Sequence, residues 1–128
     1  MSPAQQDPNA LIQAQLDAYN DRDVAAWLAT YAPDARQYAN PGTLLAQGHA
    51  EIGARIQARF AEPNLHARLL SRSVMATAQG HTVIDHETIT RTFPEGPGEV
   101  DMMAIYEVSE GLIQSGLFIS GVPRLYSR

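Results

Sequence analysis

Neither cysteine nor lysine occurs among the 128 residues. The first absence excludes disulfides, thiol nucleophiles and thiolate metal sites. The second excludes Schiff-base catalysis, a pyridoxal phosphate anchor and a phosphate-loop lysine. No apolar run approaches the roughly 18 residues needed to cross a membrane. The opening MSPAQQDPNA lacks a positive charge ahead of an apolar stretch, so a secretory signal is not expected and the cytoplasm is. All nine basic residues are arginines scattered from Arg22 to Arg128, and the net charge is −5. A nucleic-acid surface needs the opposite sign gathered on one face. No Gly-x-Ser-x-Gly element is present to start an acyl-transfer triad. No cofactor or metal motif stands out either, and none is expected.

What is present reads as one domain spanning 1–128, with a hydrophobic fraction of 45% that suits an ordinary globular core. Asp7-Pro8 is an N-cap with proline at the first helical position, and Ile12, Leu16 and Tyr19 follow at helical spacing. A second helix carries Val24, Trp27, Leu28 and Tyr31 and is predicted to run on until Pro33. ARQYA and TLLAQ are short strand candidates around the turn Asn40-Pro41-Gly42. Ile52, Ile56 and Phe60 mark one face of a third helix, with Glu51, Arg55 and Arg59 at i, i+4 spacing on another. Four strands then follow in series, broken at Gln79-Gly80, at Pro94 to Gly98 and at Glu110-Gly111. Helices set apart from consecutive strands predict an α+β fold with an antiparallel sheet. Such a sheet, curved and closed on one side by helices, has a concave face suited to a small ligand.

Alternation assigns the faces. In EVDMMAIYEV, Val100, Met102, Ala104, Tyr106 and Val108 form an unbroken apolar set that should point inward. Met103 and Ile105 among the acids of the other face suit packing against a second copy, so a homodimer through the outer sheet face is expected. In VIDHETITR neither parity is cleanly apolar. Asp85 and Glu87 share one face and His86 takes the other, so the three cannot converge on one ion from a regular strand. The expectation is that the two acids face outward, paired with Arg68, Arg72 or Arg91, and that His86 faces inward.

The segments Tyr31-Ala32-Pro33-Asp34-Ala35 and Tyr38-Ala39-Asn40-Pro41, Gly48 at the start of the third helix, and the closing IYEVSEGLI are together similar to the nuclear transport factor 2-like superfamily. That superfamily includes ketosteroid isomerases and SnoaL-like polyketide cyclases. The resemblance covers about Leu11 to Gly121 and implies a cone-shaped, cystatin-like fold, a curved antiparallel sheet packed against three helices. In the isomerases an aspartate moves a proton while a tyrosine and a protonated aspartate hold the oxyanion. Laid on that pattern, this chain has Gln15 at the tyrosine, Asn40 at the base and Ala104 at the protonated acid. An amide has no useful basicity and alanine donates nothing, so the resemblance does not imply a true ketosteroid isomerase.

The family's geometry and the parity of the strands point Tyr31, Asn40, His86, Met102, Tyr106 and Phe118 into the cone, with Gln15 and Tyr19 near its mouth. Imidazole is the side chain that trades protons near neutral pH, which makes His86 the catalytic candidate. The expected ligand is a small apolar or cyclic molecule, and an isomerase-like, cyclase-like or lyase-like activity would fit it. Gly116 and Ser120 leave space where a filled core would want bulk. The alternatives are a noncatalytic dimeric binding module whose cone is filled by its own side chains, and a hydrolase or dehydratase using His86 with an acid from another strand. A polar-lined cavity above roughly 300 Å³ would weigh against a filled cone.

Overall fold

The structure, a computed structural model, describes residues 7–126. The expectation drawn from the N-terminal stretch falls largely on residues 1–6, outside that range. The chain runs α1 (Pro8–Asp21), α2 (Val24–Leu28), β1 (Tyr31–Ala39), β2 (Thr43–Gln47) and α3 (Gly48–Phe60), then β3 (His66–Ala76), β4 (His81–Phe93), β5 (Gly96–Ser109), β6 (Leu112–Ser120) and β7 (Arg124–Leu125). The strands form one curved open sheet in the order β2-β1-β6-β5-β4-β3. The two-residue β7 pairs with β5 at Gly98 and Glu99, where β6 no longer reaches.

Asp7 caps α1 by accepting from the backbone N–H of Asn9 and Ala10 at 3.0 and 3.3 Å, with Pro8 supplying a preset first turn. Ile12 and Leu16 go into the core, each worth roughly 2 kcal/mol of burial. The far end of α1 is tied to the exposed edge of the sheet. The Asn20 side-chain amide exchanges two hydrogen bonds with the backbone of Ala67, at 2.8 and 2.9 Å. These satisfy edge groups of β3 that no other strand covers.

Three local expectations need correction. The second helix stops at Leu28, and Tyr31 opens β1 instead of closing the helix. Pro33 biases the residue before it toward extended backbone, so the helix ends short of it. The sheet is mixed, because β1 lies parallel to β6. The crossover that parallel strands require does exist, and it is the whole run from β2 to β5 with α3 in it. The β4–β5 connection is also tighter than the composition suggested. Phe93 pairs with Gly96 across a two-residue turn at Pro94-Glu95, and Gly96-Pro97-Gly98 belongs to β5.

That tight turn fixes register, and register decides what faces the interior. Val83, Asp85, Glu87 and Ile89 pair with Tyr106, Ala104, Met102 and Val100 respectively. The odd positions of β4 therefore share the inner face with the even positions of β5. On β3 a bulge at Leu70 changes parity: Leu69 pairs with Glu87, but Ser71 pairs with His86 and Arg72 with Asp85. Without the extra residue Arg72 would point outward, so the bulge re-aims it at Asp85.

Candidate functional site

The concave side of the sheet and helices α1 and α3 enclose a cavity of about 180 Å³. By the liquid's share of roughly 30 Å³ per molecule this is about six waters. It is smaller than the 300 to 1,000 Å³ typical of drug-sized sites, so it suits a compact ligand. Its apolar wall includes Leu16, Ile56, Ile89, Val100, Met102 and Phe118. Gly116 keeps this wall open. A Cβ there would stand 3.1 Å from Cζ of Phe118 and 3.5 Å from the Tyr106 ring.

Among the described residues Glu87 is the one acidic residue lining the cavity. It is 4% exposed, and its carboxylate has no hydrogen bond or ion pair among the described residues. Burial raises its pKa to about 7; the negative charge of Asp85 adds to the rise and Arg72 opposes it. A carboxyl group in that state holds and releases a proton near neutral pH.

Its neighbour two residues back is treated differently. Asp85 is fully buried and is gripped by Arg72, Nε to Oδ1 at 2.6 Å and Nη2 to Oδ2 at 2.9 Å. Arg72 also donates to Oδ1 of Asn9 at 2.7 Å and Oε1 of Gln13 at 3.1 Å. The pair thus pins β3, β4 and α1 together, in the bidentate geometry that best repays burial of two charges.

A polar network crosses the floor. Nε2 of Gln15 donates to the hydroxyls of Tyr31 and Tyr106 at 3.2 and 3.3 Å, and Nε2 of Gln37 reaches Tyr31 at 3.4 Å. Burial pushes both phenol pKa values up, Tyr106 well above its ordinary value. Both stay protonated, and their own O–H groups find no acceptor among the described residues. Trp27 Nε1 is likewise buried without a partner among the described residues, the Tyr19 hydroxyl is buried with the Arg59 side chain bearing on it, and both residues line the cavity.

The sequence-derived candidates separate accordingly. Gln15, Tyr19, Met102, Tyr106 and Phe118 line the cavity. Gln15 sits at its floor, buried, and not at the mouth. Tyr31 lies behind the lining and reaches the site through Gln15 and Gln37. Asn40 is exposed at the β1–β2 turn, with its backbone N–H on the carbonyl of Phe118. His86 is on the outer face, across from Met103 and Ser71. Its inward placement is corrected by the β4–β5 register, which turns Asp85 and Glu87 inside in its stead. The signal that could have found them was the apolar pair Val83 and Ile89, which has the same parity as the two acids. Among the described residues no group of three or more His, Asp or Glu side chains could hold a metal ion, and no helix is long and apolar enough to cross a membrane.

A family model described as a SnoaL-like domain matches residues 12–115. No curated protein matches the chain significantly. Solved structures do. A cystatin-fold protein from Novosphingobium aromaticivorans superposes with a TM-score of 0.75 at 23% identity, over 86% of this chain and 95% of that one. A Mycobacterium tuberculosis protein in complex with estradiol-17β-hemisuccinate gives 0.70 at 20%, over 86% and 90%. An LEH-like epoxide hydrolase from the same organism gives 0.71 at 13%, over 88% and 80%. At these identities the likeness shows the fold, which is the nuclear transport factor 2-like cone.

Proposed function

This chain belongs to the SnoaL-like domain family, and from that footing we propose that it binds a compact, largely apolar cyclic molecule under its sheet and moves a proton on it, with Glu87 as acid and base. The observation that carries this reading is the Glu87 carboxyl itself, which lines the cavity, has no hydrogen-bond or ion-pair partner among the described residues and has its pKa raised to about 7. Leaving such a group unpaired is costly, and active sites are where that cost recurs. A base half-ionised at pH 7 is matched to abstracting a proton from a carbon beside a carbonyl and returning it elsewhere, which is isomerase or cyclase chemistry. Tyr106 and Tyr19 add hydroxyl donors and Trp27 an N–H for the oxygen on which charge develops.

The fold supports small-molecule binding, and one structural neighbour holds an estradiol ester. The smaller cavity here calls for fewer rings. The test is proton–deuterium exchange next to the carbonyl of small cyclic ketones, followed by NMR at pH 7.5. The wild type should accelerate it and Glu87→Gln should return it to the solvent rate. Equal rates in both proteins would remove Glu87 from the chemistry.

The dimer belongs to the same reading. The outward residues of adjacent strands align Tyr38, Leu117, Ile105 and Ile84 in one row and Ile119, Met103 and His86 in the next. Met103 is 41% exposed, and a second copy covering this face would bury it. His86 then belongs to the interface and not to the chemistry.

A further inference from the structure

The cavity holds more donors and positive charge than its own acceptors satisfy. Arg55 and Arg59 lie one turn apart on α3, and both line the cavity. Glu51, one turn before Arg55, uses its carboxylate on the backbone N–H of Gln47 at 2.8 Å. Arg55 has no ion-pair partner among the described residues. Arg59 approaches Glu62 at 3.5 Å, but that carboxylate is already held by Nε and Nη2 of Arg91 at 3.1 and 2.5 Å.

Like charges four residues apart on a helix repel. Among the described residues the lining carries Arg55, Arg59 and Arg91 against Glu87 alone. Counting Glu62 with Arg91, the site remains net positive in either state of Glu87, in a chain whose net charge is −5. The buried Trp27 N–H has no partner among the described residues and adds a further donor, and an indole N–H can only donate.

Resting on the reading of this cavity as the ligand site, we infer that the ligand is an apolar ring bearing a carboxylate, held by Arg55 and Arg59 at the mouth while the ring lies against Met102, Phe118 and Val100. A planar pair of oxygens matches guanidinium donors. The ring would meet the wall opposite α3, within the cavity that Glu87 also lines.

Binding of benzoate and cyclohexanecarboxylate, each beside its primary amide, tests this on the full chain by NMR titration. The methyl group of Met102 reports the cavity and that of exposed Met75 the surface. The acids should bind at least tenfold more tightly than the amides and move Met102 but not Met75. Arg55→Gln combined with Arg59→Gln should bring the acids to the level of the amides, and Arg55→Gln alone should narrow the gap. Acids and amides binding alike at Met102, or a gap that survives loss of both arginines, would overturn the carboxylate while leaving the cavity as a ligand site. Failure of all four probes to move Met102 would overturn both readings.

Discussion

Asp85 and Glu87 face the same interior from the same strand, yet Arg72 neutralises only Asp85, through two contacts at 2.6 and 2.9 Å. The bulge at Leu70 brings that guanidinium opposite Asp85, while Glu87 stays across from Leu69 and Met102. The difference between a paired and an unpaired carboxylate follows from this one extra residue.

Stability should carry the mark of Glu87. Its folded pKa of about 7 lies above its ordinary value of 4.5, so between these pH values the folded chain binds more protons than the unfolded one. Stability contributed by this group therefore falls as pH rises through that window and is level above it. Asp85 on its own strand and Arg72 on β3 are the charged groups that bear on it. Glu87→Gln, which has no charge to bury, should match the wild type near pH 4 and exceed it by up to about 3 kcal/mol at pH 8. Urea unfolding at the two pH values measures the difference.

Removing the Asp85 charge should lower the Glu87 pKa, because Asp85 raises it and Arg72, then unopposed, lowers it. Asp85→Asn is the variant, and carboxyl carbon shifts followed against pH are the readout. Arg72→Leu acts on the other side of the pair. It leaves a buried carboxylate uncompensated and should cost about 3 to 5 kcal/mol of stability.

Gly116→Ala should weaken ligand binding more than it weakens the fold. The new methyl group would displace Phe118, whose ring lines the cavity. Calorimetric titration with benzoate beside a thermal melt separates the two effects: affinity should fall about tenfold, while the melting temperature moves by only a few degrees.

Met103→Glu should convert a dimer to a monomer in light scattering, since it places a charge in the row of apolar residues on the outer face. A wild type that is monomeric at micromolar concentration would end the dimer reading. His86→Ala, on that same face, should leave benzoate binding unchanged.

The apolar positions of α1 and α3 and the inner face of β5 could be read directly, because uninterrupted periodicity leaves one face to bury. The family resemblance rested on segments from β1 to the β5–β6 hairpin, and the cone they imply is the fold observed. The site was harder to read. Asp85 and Glu87 look like surface residues until the turn at Pro94-Glu95 ties β4 to β5, and a turn misread by a few residues loses that register. The Leu70 bulge leaves no periodic signal, so Arg72 could be named as a partner without its place inside being seen. Tyr31 looked helical because its spacing from Trp27 and Leu28 fits a helix, and only Pro33 argues otherwise.

The proposed chemistry depends on a Glu87 carboxyl, unpartnered among the described residues, that titrates near neutrality inside the cavity. Carboxyl carbon NMR across pH 3 to 9, with Glu87 assigned by the resonance that Glu87→Gln removes, tests it most directly. A midpoint near 7 is expected. A midpoint near 4.5 would mean a solvated, ordinary carboxylate and would remove Glu87 as acid and base.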